Sequence, residues 1–575
     1  MSNDYQPKYL HIIHPGFYYL DHKLTPEVRA MFCAMTSRMP AGGIQARYME
    51  VVEEVAESLY EQWTPDIVGE PGDRIPWNHI PWSVKEGTGN LRDLYERFVE
   101  QAEDALTEYP LHPVVQAFFD KWVGKYGHSS IVEQTGSPTV FFEGISWWTA
   151  YMLFDSPLVC GQEFSTRAVR RADWPMAREC YSEDTVATSI LQAEDDRAIQ
   201  FLTGDPKATC KSTPPVLVAH PLLAELHKEW LTIFEAEVEA WKVELRKPCE
   251  VCDGAGVVPD VEDHGSPTPC SACSGTGVLY PEMATDKQGM RPALDRARWA
   301  IPGTIATGVS FSSHLRERVR CLKDALGMAI ESNALGAVDT IVKMLDTYCA
   351  AVPGIADQVI GKLPDDAGYE SNYMKVPSHL APEARLEYAP VYPGAIGVGP
   401  IQHSMLHLIS NWCPSFRKSR REYADPVLNN IRVPFTIHCS VAVLRDWHRH
   451  RTMYPMRFTF CRNEDALVLH PTYAPLSEVA LDNIERLMVR SKEVYEELRT
   501  EAPYLAPLAL PFGAMVRIDA EAGLRDFLYC MELRYHNPGA NFEYKEQAKS
   551  ALEALRHALD GYPRIIAATI GTEGE

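Results

Sequence analysis

The sequence predicts an α+β protein made of two related domains in tandem, with a small zinc-knuckle insertion in the first. Three observations carry this prediction: the length of 575 residues, a long amphipathic helix that recurs with matching landmarks after it, and four cysteines arranged as two similar knuckles. Single domains rarely grow beyond about 250 to 300 residues. We therefore expect two or more domains.

The composition indicates a globular protein. Hydrophobic residues make up 46% of the chain and charged residues 23%, a balance that can fill a core. The formal net charge of -23 would repel polyanions at long range. A DNA-coating role is therefore excluded, no polymeric nucleic acid is expected as a partner, and any nucleotide must be bound by local arginine clusters.

The sequence predicts a cytoplasmic location. The start of the chain, residues 1–16, lacks the cationic segment and apolar block of a signal peptide. No uninterrupted apolar stretch reaches the length of about 18 residues that a membrane span requires. The 14 cysteines are therefore expected to be reduced thiols rather than disulfides.

Two long amphipathic helices are predicted, from His220 to Arg246 and from Leu476 to Arg499, and each contains Glu-Leu-Arg at its end. The apolar residues expected to face the core are Leu223, Leu226, Trp230, Phe234, Val238, Trp241 and Leu245 in the first helix, and Leu481, Ile484, Leu487, Val494 and Leu498 in the second.

Matching landmarks follow the two helices and indicate a duplication. Arg316 lies 14 residues after Pro302, and Arg525 lies 14 residues after Pro511. The alternative is a chance likeness between two helical segments. We place the first domain at 1–362, the zinc-knuckle insertion at 247–289 and the second domain at 363–575, with the boundary in a stretch rich in proline and glycine.

Four cysteines predict a metal site. Cys249 and Cys252 form one CxxC turn, Cys270 and Cys273 form another, and 17 residues separate the inner pair. Four thiolates complete a closed tetrahedral zinc site, so the expected role is structural, and a redox pair is the alternative. The knuckles resemble the CxxCxGxG repeats of the DnaJ chaperone family, which implies zinc and not chaperone activity.

A cationic cluster follows a predicted strand and is the strongest catalytic signal. The segment Leu444-Arg-Asp-Trp-His-Arg-His-Arg451 comes soon after the β-like stretch Val433–His438. On a helix, Arg449 and Arg451 would not share a face, so they could bind groups on two sides, such as a cofactor phosphate and a substrate phosphate. A solvated basic patch is the alternative.

This segment closely resembles the signature of the flavin-dependent thymidylate synthase family, in which Arg-His-Arg is followed by seven residues and a serine. Here Thr459 stands at the position of the serine, and Cys461 stands at the position of the family's next arginine. The second half therefore carries only part of the signature.

The first half resembles the missing part. When Ser146 is aligned with Ser440, Asp155-Ser156-Pro157 replaces Arg-His-Arg, and the alignment continues without a gap into Gln162–Arg167. The resemblance implies nucleotide-binding roles for Glu163, Ser165, Arg167 and, further along, Arg298.

The resemblance also implies roles for residues of the second half. Arg449, His450, Arg451 and Arg525 would bind FAD, and Arg534 would stabilise the ionised pyrimidine as a catalytic residue. Family sites form between subunits, so the two halves would share one composite site. The family is a homotetramer, which implies a homodimer of this chain forming a pseudo-tetramer.

The activity implied is reductive transfer of a one-carbon unit from methylenetetrahydrofolate to C5 of dUMP, with FAD and NADPH and without a cysteine nucleophile. One alternative keeps the fold and changes the reaction, to C5 hydroxymethylation or to dCMP as substrate. Another is a non-catalytic scaffold in which the zinc knuckles bind a partner and the flavin pocket is vestigial.

Overall fold

The structure is a computed structural model that describes residues 6–38, 43–62, 89–125, 129–154, 161–166, 176–183, 217–258, 268–273, 275–278, 291–332, 334–354, 387–388, 396–399, 401–411, 424–450, 453, 456–462, 467–536 and 541–569. Its α-helices are α1 Pro26–Met35, α2 Gly43–Gln62, α3 Gly89–Ala105, α4 Pro113–Phe119, α5 Trp147–Leu153, α6 Pro221–Glu244, α7 Arg291–Ala297, α8 Leu315–Glu331, α9 Leu335–Ala351, α10 His403–Asn411, α11 Val441–His448, α12 Glu478–Glu501, α13 Leu524–Tyr535, α14 Phe542–Ala558 and α15 Pro563–Thr569.

The strands are β1 Leu10–His14, β2 Phe17–Leu20, β3 Thr139–Ile145, β4 Gly161–Glu163, β5 Tyr181–Glu183, β6 Leu217–Ala219, β7 Val257–Val258, β8 Thr268–Pro269, β9 Thr307–Ser312, β10 Glu387–Tyr388, β11 Ile396–Val398, β12 Arg432–Ser440, β13 Met456–Arg462 and β14 Met515–Gly523. Helices and small sheets are mixed along the chain, which confirms the α+β class. Among the described helices, none is long and apolar enough to cross a membrane.

Two five-stranded sheets form the centre of the molecule. The first has the order β1-β2-β3-β9-β4, and the second has the order β10-β13-β14-β12-β11. Four strands of each sheet correspond, because β4-β9-β3-β2 and β13-β14-β12-β11 follow the chain in the same sequence and are antiparallel throughout. The predicted boundary at residues 362 and 363 lies outside the described residues.

The two sheets differ in how many of their faces are covered by a hydrophobic core. One large hydrophobic core contains residues from both halves of the chain. A separate core between the N-terminal helices includes Tyr18 and Phe141 of the first sheet, so that sheet is buried on both faces. The second sheet has polar residues such as Thr436 and Asp519 on its other face, where they share a hydrogen bond of 2.7 Å.

Both predicted long helices are present. The first is α6, and all seven apolar residues predicted to face its core are buried. In the second, α12, the prediction is wrong for Leu481, whose side chain is 59% exposed, because the buried stripe runs through Ala480 and Leu487 instead. The helices are antiparallel: Glu237 accepts the N–H of Ser477 at 2.7 Å, and Glu229 pairs with Arg486 at 2.6 Å.

The chain segments around Pro302 and Pro511, which follow the two long helices, lie against each other. Phe512 N–H donates to Ile301 O at 2.9 Å, and Gly513 N–H donates to Trp299 O at 2.7 Å. A Cβ atom at Gly303 would lie 2.1 Å from Leu510 O, so only glycine permits this approach. The segments that begin the central strands of the two halves are therefore in direct backbone contact.

Candidate active site and metal site

Helix α11 begins at a buried serine–glutamate pair. Ser440 caps the helix by accepting the N–H of Val443 at 3.2 Å, and its hydroxyl donates to Glu543 at 2.7 Å. The other carboxylate oxygen of Glu543 accepts the Ser440 N–H at 2.8 Å. This arrangement satisfies donors at the helix start and ties α11 to α14.

Helix α11 ends at His448, so the cationic motif is not helical throughout. Arg449 is the C-cap residue, and His450 follows the helix. The prediction that Arg449 and Arg451 would lie on different faces of a helix therefore does not apply, because the helix ends before Arg449. Arg451 lies outside the described residues.

A buried ion pair joins the halves. Arg445 on α11 pairs with Glu163 at the end of β4, and their side chains are 6% and 5% exposed. Thr307 donates to the same glutamate at 3.3 Å, and the Arg445 guanidinium lies 4.7 Å from the centroid of the Phe512 ring. A buried charge is tolerated when it is paired, so this contact fixes β4 against α11.

A second ion pair joins the halves through Asp446. Both terminal nitrogens of Arg298 donate to one oxygen of Asp446, at 3.2 and 3.1 Å, and Arg449 donates to the other oxygen at 2.5 Å. Asp295 lies 3.7 Å from Arg298 and accepts the side-chain amide of Asn541 at 2.7 Å. Asp446 thus bridges a predicted nucleotide-binding residue and a predicted flavin-binding residue.

His450, Arg534 and Tyr544 form a third group. Arg534 donates to His450 Nε2 from Nε at 3.1 Å and from Nη2 at 2.9 Å. The Tyr544 hydroxyl lies 3.1 Å from the same nitrogen and 3.2 Å from the Asp446 carbonyl oxygen. Burial, followed by the charges of Arg534 and Arg449, lowers the pKa of His450 well below 6.5, so the imidazole is neutral and can accept these hydrogen bonds.

The three groups carry more positive than negative charge. Four arginines, Arg298, Arg445, Arg449 and Arg534, stand against the carboxylates Glu163, Asp446 and Asp295. Within the described part of the chain, the Nε atoms of Arg298, Arg445 and Arg449 have no hydrogen-bond partner. Unused guanidinium donors suit an anionic ligand such as a phosphate.

The other predicted site residues are more dispersed. Ser165 follows β4, and its N–H donates to Ser37 O at 3.1 Å. Arg525 lies in the first turn of α13 and Arg534 in the last, about 13 Å apart along the axis at about 1.5 Å per residue. Arg167 lies outside the described residues.

Four residues of the cluster had no role assigned from the sequence: Arg445, Asp446, Asp295 and Tyr544. Arg445 precedes Arg449 by four residues, so helical spacing could have suggested that both belong to one face. Tyr544 is far from His450 in sequence, and no local pattern marks it. Only the packing of α14 on α11 brings it into the group.

The place that Glu163 occupies in the first sheet is filled by Phe458 in the second. Val309 pairs with Phe142 and Glu163, and Ile518 in the second sheet pairs with Ile437 and Phe458. The gap-free alignment matches Glu163 with Arg457 instead and is therefore out of register by one residue.

Two aromatic residues, Tyr151 and Phe458, occupy the positions that correspond to Arg445 and Glu163. Tyr151 lies five residues after Ser146, as Arg445 does after Ser440. Its ring lies 5.1 Å from that of Phe458 and 3.7 Å from that of His448. The two matching positions therefore differ in character, one ionic and one aromatic.

The four knuckle cysteines converge. Their Sγ atoms all lie within 4.8 Å of one another and the residues are buried; the Cys249–Cys270 distance is 4.0 Å and the Cys252–Cys273 distance is 3.6 Å. Sulfurs at about 2.3 Å from a tetrahedral zinc ion would be about 3.8 Å apart. A buried four-cysteine group with this spacing fits zinc.

Glycines shape both knuckles. The N–H groups of Gly256 and Gly277 donate to Cys252 Sγ and Cys273 Sγ, each at 3.3 Å. Both glycines have positive φ, 75° and 77°. A Cβ atom at Gly277 would lie 2.4 Å from Gly254 O, so a larger residue would separate the amide from the sulfur.

Comparison with known proteins gives a match in the second half. Residues 418–559 match the family model described as thymidylate synthase complementing protein. No curated protein matches the chain. The matched segment contains α11, His450, Arg534 and Tyr544, whereas Glu163 and Arg298 lie before it. The match supports an enzyme of the thymidylate synthase type, broadly flavin-dependent, with a nucleotide substrate.

Proposed function

We propose that this protein transfers a one-carbon unit reductively from methylenetetrahydrofolate to C5 of dUMP, using FAD and NADPH, at a site shared between its two halves. The observation that carries the proposal is the pair of buried ionic contacts between the halves, Arg445 with Glu163 and Arg298 with Asp446. Residues that the family signature keeps together are here supplied by both halves, which meet at one arginine-rich cluster.

We also propose that the halves are copies of one domain, 1–362 and 363–575, with the zinc knuckles of 247–289 inserted in the first. The shared strand order supports this. So do the serine caps of α5 and α11, since Ser146 and Ser440 both bond a buried glutamate. The contact between Ile301 and Phe512 is what a pseudo-twofold arrangement would produce.

The charged groups fit an anionic cofactor and an anionic substrate. Arg449, with Arg451 and Arg525, would bind the FAD phosphates, and His450 would contact the flavin. Arg298 and Glu163, with Ser165 and Arg167, would bind the nucleotide. When bound, the reduced flavin supplies the hydride.

Arg534 would act on the pyrimidine itself. A guanidinium stabilises negative charge on the ring through paired donors. Its partner His450 is neutral, so the imidazole holds Arg534 as an acceptor and adds no competing cation.

One observation favours a second substrate, dCMP. Asp446 is at the cluster, and a carboxylate only accepts hydrogen bonds. The exocyclic amino group of cytosine could donate to it, whereas uracil presents a carbonyl oxygen at that position. Whether the product carries a methyl or a hydroxymethyl group is to be tested together with the identity of the substrate.

The decisive experiment is anaerobic incubation of the FAD-loaded protein with methylenetetrahydrofolate, NADPH and either dUMP or dCMP, followed by mass analysis. We expect a methylated dUMP product, and Arg534→Gln should bind FAD but form little product. Product from dCMP alone would favour the second substrate. A colourless protein that takes up no FAD would contradict both and favour a scaffold.

We further propose that two chains associate, giving four domains in a pseudo-tetramer with an isologous interface. Light scattering at micromolar concentration should give twice the chain mass of 64.6 kDa. A strictly monomeric particle would contradict this.

A further inference from the structure

Helix α14 contacts α11 near both of its ends. Glu543 holds the capping Ser440 at 2.7 Å. Gln547, one turn later, accepts a hydrogen bond of 2.9 Å from the indole of Trp447. Tyr544 lies between these two residues on the same helix, so its position relative to α11 is fixed from both sides.

Tyr544 contacts three residues of the cluster: His450, Asp446 and Arg534. Its hydroxyl lies 3.1 Å from His450 Nε2 and 3.2 Å from Asp446 O, so its single proton can serve either acceptor. The Arg534 guanidinium lies over its ring, 4.6 Å from the centroid. The ring is 2% exposed and meets Trp447 edge-on at 4.2 Å, which leaves it little room to move.

His450 and Arg534 depend on each other's placement. Two nitrogens of Arg534 donate to His450 Nε2, at 2.9 and 3.1 Å. An Nε2 atom can accept only while it carries no proton. A side chain that holds the imidazole and the guanidinium in contact therefore also maintains the protonation state on which the contact depends.

We propose that Tyr544 is a positioning residue that holds His450 and Arg534 together, the hydroxyl through the imidazole and the ring through the guanidinium. The role of Arg534 on the pyrimidine rests on the proposed function, whereas the contacts do not. Tyr544→Phe keeps the ring and loses the hydroxyl, and Tyr544→Leu loses both. The two variants therefore separate the two contacts.

The kinetic test compares kcat with KM. We expect Tyr544→Phe to lower kcat about tenfold, as loss of one hydrogen bond does, with KM for the nucleotide within about twofold. Tyr544→Leu should lower kcat about a hundredfold. The matched control is Tyr504→Phe, which loses a buried 2.7 Å hydrogen bond to Thr149 outside the cluster and should keep its turnover.

A kcat for Tyr544→Phe and Tyr544→Leu no lower than that of Tyr504→Phe would overturn the proposal. A second measurement does not depend on activity: ring nitrogen spectra of ¹⁵N-histidine-labelled protein, with the His450 signal assigned by its loss in His450→Gln. We expect an unprotonated Nε2 in the wild type at about pH 6 to 8, and a shifted signal in Tyr544→Leu.

An unchanged His450 signal in Tyr544→Leu would also overturn the proposal. A wild-type protein that forms no product from either nucleotide, with the signal shifting as expected, would refute the proposed function and support the positioning role. The two ideas therefore fail separately.

Discussion

Glu143 is a partly buried carboxyl group beside the first turn of α2. One of its oxygens accepts the N–H of Ile44 at 2.7 Å. Burial raises the pKa of Glu143 from 4.5 to about 7, although the Ile44 N–H and the charge of Arg178 oppose the shift. Gly43 has φ of +67°, and a Cβ atom there would lie 2.3 Å from the other oxygen, so the carboxyl group is closely enclosed.

This group makes stability depend on pH. Below pH 4.5 it is protonated in the folded and unfolded chains alike, and as pH rises to about 7 the unfolded chain ionises first. Its contribution to the free energy of unfolding is therefore lost as pH rises through about 7, by roughly 1 to 3 kcal/mol.

Glu143→Gln should remove this pH dependence and raise stability at pH 8, because the amide oxygen still accepts from Ile44 and never ionises. Urea unfolding at several pH values measures the difference. The control is Glu54→Gln on the exposed face of α2. Equal pH dependence in wild type and Glu143→Gln would contradict the argument.

Residues that match a motif of the family could be named from the sequence, including Glu163 and Arg298 in distant segments, whereas residues that only tertiary packing brings to the cluster could not. Arg449 and His450 are adjacent, and Arg534 follows Glu532-Leu533, so family resemblance identified all three. Arg445 belongs to the cluster only through its pairing with Glu163, 282 positions away. Tyr544 depends on how α14 packs, which no local spacing encodes.

Among the elements, the zinc knuckles have the most self-contained structure. Their backbone contacts repeat almost symmetrically: Gly254 N–H donates to Cys249 O at 3.1 Å and Gly275 N–H to Cys270 O at 3.0 Å. Among the described residues, the cysteines form a core of their own, against which Val258 of the two-residue strand pair packs. Metal ligation must therefore supply much of the stability of this element.

Cys270→Ser should release about one zinc ion per chain and unfold the knuckles locally, because ligation energy is coupled to folding. Metal analysis and amide hydrogen exchange over residues 249–278 measure the two effects. Cys349→Ser, outside the cluster, should retain the metal. Wild-type protein without zinc after purification in metal-replete medium would refute the site.

Long periodic helices were predictable, and strand register was not. The first long helix was found because its apolar stripe repeats over six turns, and all seven residues predicted to face its core are buried, although the buried Ile233 and Glu237 were not predicted. The strand pairing departs by one residue from the gap-free alignment between Ser146 and Glu163, and a separate irregularity lies before Ser146, between Glu143 and Ile145 in the pairing of β3 with β9. A bulge adds a residue without a sequence signal strong enough to place it.

At the scale of the whole molecule, the ion pair and its aromatic counterpart predict the result of an exchange. Glu163→Gln leaves Arg445 buried without its partner charge and should lower the free energy of unfolding by about 3 kcal/mol. The double variant Glu163→Phe with Arg445→Tyr copies the Phe458–Tyr151 pair. It should recover most of that loss but bind no nucleotide.

Urea unfolding and calorimetric titration with dUMP measure these two properties. A double variant as unstable as Glu163→Gln would show that the aromatic pair depends on surroundings the ionic position lacks. Nucleotide binding by the double variant would remove Glu163 from the proposed substrate site.

The matching positions also predict the flavin stoichiometry. Where the proposed flavin site has Arg449, His450 and Arg451, the matching positions of the first half are Asp155, Ser156 and Pro157. Those positions lack the two arginines that would bind the FAD phosphates. Titration followed by flavin absorbance should therefore give one FAD per chain, and two per chain would contradict the division between the halves.

The backbone contact between the two proline landmarks has a consequence for synthesis on the ribosome. Trp299 and Ile301 are translated about 210 residues before Gly513 and Phe512, with which they pair. At about 5 to 20 residues per second, the nascent first half waits roughly 10 to 40 s with apolar surface uncovered. During that interval a chaperone that binds nascent chains has access to this apolar surface. A chain whose synthesis ends before Pro511 would lack the segment that covers this surface and could not complete its core.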